Sequence, residues 1–210
     1  MRKYLLLSGA LLLGLGVFAS AQGINTVPTV GLITSVLKQN TYSATSIGLA
    51  PASSATDIFC ISASTTKTVS IRSITISGTA GTLVTAPYTL LRRVSLDTGG
   101  TAATTTALPV AAPHLSTEPA GTAVLTAYTA NPTIVDSSPI YYRTQTLTTP
   151  VTSAGTSSSV ILWTFGEATS GWFNRGVDLA PNTTQQACIN LNAVSISSGL
   201  LNISIEWIES

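Results

Sequence analysis

The spacing of apolar residues changes once along this chain, close to residue 40, and the change divides it. Ahead of it, a short basic start, Met1-Arg2-Lys3, leads into an apolar run from Tyr4 to Phe18 and then Ala19-Ser20-Ala21. Basic, apolar and small-residue stretches in that order are the parts of an export signal, ending in an Ala-x-Ala cleavage site. Residues 1–21 are therefore expected to leave on export, with cleavage before Gln22. An uncleaved apolar N-terminal anchor is the alternative reading, although the run is short against the roughly 20 residues of a membrane-crossing helix. Residues 22–55 read as an arm and linker: Val30 to Lys38 is either a short helix or an extended stretch, and Tyr42 to Ala55 a connector rich in Ser, Ala and Pro.

From Thr56 onward the period is two, and residues 56–210 read as one β-sandwich domain. In Lys67 to Ser77, Val69 and Ile71 share one face, and Ile74 and Ile76 share the other. The apolar register slips between Ile71 and Ile74, which predicts a bulge there. Further strands are expected at Tyr88–Ser95, Val124–Tyr128, Ile140–Leu147, Ser159–Phe165, Gln186–Val194 and Leu200–Ile208. The last has Leu201, Ile203, Ile205 and Trp207 on one face, the pattern of a half-buried strand. Gly-, Pro- and Ser-rich turns separate these runs, among them Asp97 to Gly100 and Pro181-Asn182. The fold class is all-β, a two-sheet antiparallel sandwich of jelly-roll type carrying an N-terminal signal-like helix and an extended arm.

Composition narrows the possibilities further. Charged residues make up 8% of the chain, against roughly 25% in an average soluble domain. There are 34 Thr and 26 Ser; β-branched Thr suits the solvent faces of strands and Ser suits loops. Beyond residue 21 stand seven basic and eight acidic residues, a net charge of −1. That balance offers no electrostatic footprint for nucleic acid or for an anionic membrane, and no membrane association is expected after signal cleavage.

Candidate chemistry is sparse. Cys60 and Cys188 both lie in strand-like flanks. In an oxidising compartment they form a disulfide candidate that closes most of the chain into one loop, worth roughly 3–5 kcal/mol. Two separate buried thiols are the other reading. No metal site and no cofactor are expected, since His114 is the one imidazole and no Cys-x-x-Cys occurs. His114 reads as a loop histidine, and the eight carboxylates are scattered singly along the chain. Asp97-Thr98-Gly99-Gly100 has the form of an aspartic-protease tripeptide but has no second copy, so it reads as a turn. No catalytic residues are assigned and no enzyme activity is expected. Among the aromatics, Trp163 and Trp207 read as core, whereas Trp172 and Phe173 sit in a Gly-flanked loop. Together with Tyr141 and Tyr142 they are the contact candidates, suited to stack on a sugar ring or to seal a subunit interface. Arg92-Arg93 lies in a strand, and alternation sends one side chain to each face.

Several stretches taken in order carry a resemblance. They are Thr56-Asp57-Ile58-Phe59, Thr66 to Ile71, Ile74 to Ala80, Leu90-Leu91-Arg92-Arg93 with Gly99-Gly100-Thr101, Ala127 to Thr133, Trp163-Thr164-Phe165-Gly166, Ile189-Asn190-Leu191-Asn192 and Leu201 to Glu209. The pattern resembles jelly-roll-like structural proteins of tailed phages and prophages, over roughly residues 42–209. The resemblance implies a virion-associated protein that self-associates, as a trimer or larger assembly, or attaches to a capsid or fibre; it carries over no catalytic residue. A virion protein assembled in the cytoplasm needs no export signal, so the N-terminus favours an exported relative. The expectation is a non-enzymatic, self-associating subunit of a virion-like or extracellular surface assembly, secreted or at the cell surface. The alternative is an exported carbohydrate-binding or adhesive module.

Overall fold

The computed structural model describes residues 39–51, 56–133, 137–150, 160–166, 177–192 and 194–210. The expected signal at 1–21, the expected arm up to residue 38, and the contact candidates Trp172 and Phe173 lie outside the described residues. Among the described residues are twelve strands and one 3-10 turn, Thr105–Ala107. The strands are β1 Asn40–Leu49, β2 Asp57–Ser62, β3 Val69–Thr79, β4 Val84–Arg93, β5 Thr101–Ala102 and β6 Ala112–Pro113. They continue as β7 Leu125–Ala130, β8 Ser137–Leu147, β9 Ile161–Thr164, β10 Val177–Leu179, β11 Gln186–Asn190 and β12 Leu200–Glu209.

These build two packed antiparallel sheets. The first has the order β10-β3-β12-β1-β6, with β9 also paired to β3; the second has the order β5-β7-β2-β11-β4-β8. With the short β5, β6 and β10 and the inserted β7 set aside, the first sheet reads β9-β3-β12-β1 and the second β2-β11-β4-β8. The chain therefore changes sheet at every step except β4 to β8, which is the connectivity of a jelly roll.

Alternation fills the space between the sheets. On β12, Leu201, Ile203, Ile205 and Trp207 are at most 1% exposed, each contributing about 1.5–3 kcal/mol relative to the exposed side chain. Trp207 stacks on Tyr42 with ring centroids 5.7 Å apart. The expected slip in β3 is present: Glu206 pairs with Ser73 and Trp207 with Ile71, so Arg72 bulges out of the ladder. Its carbonyl oxygen accepts the Phe165 N–H at 2.8 Å, so the bulge ties down the chain just beyond β9.

One boundary is corrected. The segment read as a connector from Tyr42 to Ala55 is strand as far as Leu49, paired with β12 from Asn40↔Glu209 to Leu49↔Leu201. The compact unit accordingly starts at Asn40, not at residue 56. Tyr42, Ala44, Ser46 and Leu49 face inward, but two of the four are too small or too polar to stand out as an apolar alternation. Burial of Ser46 is offset by a hydrogen bond from its hydroxyl to the Ala107 carbonyl, 2.8 Å.

Candidate functional site

Because side chains on the second sheet alternate, its inward residues (Phe59, Ala86, Tyr88, Leu90, Ala127, Ala187 and Ile189) join the main core. The outward ones form something different. Cys60 and Cys188 stand directly opposite each other on β2 and β11. They are joined as a disulfide, S–S 2.08 Å with Cα atoms 4.1 Å apart. With Tyr128 they make a small buried cluster separate from the core. The disulfide fits an oxidising compartment. Among the described residues, no helix is long and apolar enough to cross a membrane.

Beside the disulfide the same face carries a buried ion pair. Arg93, 2% exposed, donates from Nε and Nη2 to the two carboxylate oxygens of Asp57 at 2.8 and 2.7 Å. Asn190 adds a third donor at 2.6 Å, and its own side-chain oxygen accepts the Asn192 N–H at 2.7 Å. Neighbouring Arg92 points the other way and donates to the Asp178 carbonyl at 3.0 Å, as alternation requires. The loop after β4 brings in a second carboxyl. Asp97 Oδ2 lies 3.6 Å from Cys60 Sγ; a disulfide sulfur has no proton, so this is a contact and not a hydrogen bond. Burial, then the Asp57 charge and a hydrogen bond to Asp57, push the Asp97 carboxyl up to about 7, against the opposing pull of Arg93 and Gln186. Burial first, and then Asp97 and Asp57, also raise the Tyr128 phenol above its ordinary range.

The carboxylates are thus not all single. Asp57 and Asp97, 40 positions apart in the sequence, come within 4.8 Å of each other and of both cysteine sulfurs. As folded the four offer no free ligand set, because the sulfurs bond to each other and Asp57 is held by Arg93 and Asn190. The turn reading of Asp97-Thr98-Gly99-Gly100 fits the backbone: Gly99 and Gly100 have φ of +66° and +74°, which glycine adopts without strain. His114 is exposed at the end of β6.

The contact candidates on β8 fare unequally. Tyr141 and Tyr142 are 46% and 58% exposed, but they pair with Leu90 and Thr89 respectively and so face opposite sides of the sheet. A single platform built from both is ruled out by alternation. Tyr141 turns to the mouth between the sheets, packs on Phe165 with centroids 5.1 Å apart, and lines a groove of about 480 Å³ with Arg92 and Val177. Tyr142 lies on the outer face and lines a groove of about 460 Å³ with Thr89, Arg93, Asn190 and Asn192.

The outer-face cluster is what sequence reading missed. Its one signal was Asp57 placed directly before the apolar run Ile58-Phe59-Cys60-Ile61, since a carboxylate in such a strand needs a buried cation. The chain matches no family model, no curated protein and no solved structure.

Proposed function

We propose that this protein is a non-enzymatic, exported structural subunit that self-associates along the outer side of β8, over Tyr142 to Thr144. The observation that carries the reading is the inequality of the sheet edges. Among the described residues, the edges at β5, β6, β9 and β10 are two to four residues long, whereas β8 runs for eleven. Natural sheets keep exposed edges short or blunted, because a long edge is a template for another strand. Tyr142, Arg143 and Thr144 on β8 are exposed, and Pro139 blunts only the start of the strand.

Register identifies the groups that would pair. Cys60 and Cys188, with Cα atoms 4.1 Å apart, sit at a non-hydrogen-bonded position, for which the typical separation is about 4.5 Å. Counting from there through β11 and β4, Leu91, Thr89 and Pro87 turn their backbone groups toward β11. Pro87, which has no N–H, faces Thr144 across β4 and β8. That pair is therefore not hydrogen-bonded, and the Thr144 N–H points away from β4, to the outer side of β8. A second copy of β8, antiparallel across a twofold axis, would find these donors and acceptors in reach and join two sheets into one. On the outer face Asp57 and Arg93 are spent on each other, which agrees with a structural role.

Mass in solution, measured by light scattering on the exported protein, tests the reading. A defined oligomer is expected, and Thr144→Pro should reduce it to monomer while leaving the thermal melt of the fold within a few degrees. A wild-type monomer at all concentrations would overturn it. A second reading, a module that binds neutral glycans, is favoured by the outer groove, where the Tyr142 ring stands beside the Thr89 hydroxyl and the Asn190 and Asn192 amides. In that case a monomer would bind a glycan on a screening array, and Tyr142→Ala would abolish the signal.

A further inference from the structure

The Asp97 carboxyl occupies a position that the paired groups around it do not explain. Beneath it the charge account is already closed, since Asp57 and Arg93 neutralise each other in a site where both side chains are at most 2% exposed. From β2 it is faced by Asp57 and Cys60, from β4 by Arg93, from β7 by Tyr128, and from β11 by Gln186 and Cys188. One cation therefore serves two carboxyls. Asp97 Oδ1 and the side-chain nitrogen of Gln186 are both buried with no hydrogen-bond partner within 3.5 Å, so the pull of Gln186 on Asp97 acts only at longer range. Protonated, Asp97 leaves the cluster neutral; ionised, it leaves a second negative charge against a disulfide and an aromatic ring with, among the described residues, only the already paired Arg93 to meet it.

The segment that carries Asp97 is lightly held. Val94 and Leu96 are 58% and 45% exposed, so the loop buries little apolar surface of its own. Its other ties are the bridge between Thr98 and Thr133, with N–O distances of 3.2 and 2.7 Å, and the Thr184 hydroxyl on the Val94 carbonyl at 2.9 Å. Through Asp97 the loop lies against a disulfide that Tyr128 also packs on, and the two cysteines, on the outer face of the sheet, are only 1% and 0% exposed.

We propose that Asp97 is a proton-operated cover on the Cys60–Cys188 disulfide: with its carboxyl protonated the loop 94–100 seats on the sulfurs, and with the proton gone the loop lifts and admits a reductant. The inference is independent of the assembly reading. Its direction follows from linkage. In the lifted loop the carboxyl is solvated and ionises near 3.8, whereas in the seated loop it ionises only at about 7. The seated form thus binds the proton more tightly; its advantage is complete below the lower value and is lost as pH rises to the upper one. Between those limits the lifted fraction rises roughly tenfold per pH unit, and above about 7 it levels off.

Reduction by a water-soluble phosphine reads the lifted fraction. Each phosphine gives two electrons to the S–S bond; water supplies the oxygen that leaves as phosphine oxide and the two protons that complete the Cys60 and Cys188 thiols. Rates are measured from pH 4.5 to 8.5 for the wild type and for Asp97→Asn, which cannot ionise, and their ratio removes the reagent's own pH dependence. The expected ratio climbs roughly tenfold per unit between pH 5 and 7 and then levels off. A ratio flat across the range would overturn the proposal. Should Asp97→Asn fail to fold, hydrogen exchange of the wild-type loop, normalised to β12, gives the same test. Loss of protection over residues 94–100 between pH 5 and 7 supports the cover, and unchanged protection overturns it.

Discussion

At the scale of single residues, two buried carboxylates illustrate how burial is offset. Glu209, 3% exposed, accepts hydrogen bonds from the Thr122 N–H at 2.8 and 2.9 Å and from the Thr122 hydroxyl at 2.7 Å. It also accepts from the Ala123 N–H at 3.0 Å and the Trp207 indole at 3.1 Å. Burial alone would raise its ionisation, but donors from Ala123, Trp207 and Thr122 outweigh that and hold it below the ordinary carboxylate range. A depressed folded value means that its contribution is present above the unfolded value, near 4.5, and is lost as pH falls through the folded one. Glu209→Gln sets an amide nitrogen among those donors, and urea denaturation at pH 7 should show a loss of about 2 kcal/mol. The variant should also show a weaker acid dependence below pH 4.5 than the wild type. Asp57 is the harsher case, since removing it leaves Arg93 buried without its counter-ion. Asp57→Ala should cost about 3–5 kcal/mol, measurable by the same denaturation series. Neither cluster was legible in the sequence: Glu209 reads as a strand-end acid, and its partners Thr122 and Ala123 are 87 and 86 positions away.

At the scale of elements, what was legible depended on side-chain size. β12 and β3 announce themselves because their inward positions are Leu, Ile, Val and Trp, and even the Arg72 bulge shows as a slip in the apolar register. β1 does not, because inward Ala44 and Ser46 look no different from outward Thr45. β10 is three residues long and too short to set a period. The central pair of the first sheet also carries a close approach. A Cβ added at Gly78 would stand 2.5 Å from the Leu200 carbonyl oxygen and 2.7 Å from Leu201 Cδ2, opposite Leu201 in the β3–β12 ladder. Backbone cannot give way as a flexible side chain can. Gly78→Ala should therefore destabilise by roughly 1–3 kcal/mol, a fall of several degrees in the calorimetric midpoint. A melt within one degree of wild type would show that β12 shifts freely at its start.

For the whole molecule, the disulfide couples β2 and β11, at the centre of the second sheet, across a sequence separation of 128. The long loop it closes makes its contribution largely one of restricting the unfolded chain, roughly 3–5 kcal/mol. The double variant Cys60→Ala with Cys188→Ala should lose about that much in urea denaturation while keeping the far-ultraviolet dichroism of a β protein. Sequence by itself determined the all-β class, most of the long strands, the faces they bury and the split of Arg92 and Arg93 to opposite sides. Each of these follows from local alternation along one strand, which needs no knowledge of neighbours. Tertiary structure alone decided which strands are adjacent: it settled the Cys60–Cys188 disulfide that the sequence offered as one of two readings, and it brought about the union of Asp57 with Arg93 and Asn190, the approach of Asp97 to the sulfurs, and the place of β8 at the end of its sheet. Those are contacts between segments separated by tens of residues, and their partners are chosen by sheet order and register, which the alternation within any one strand leaves undefined.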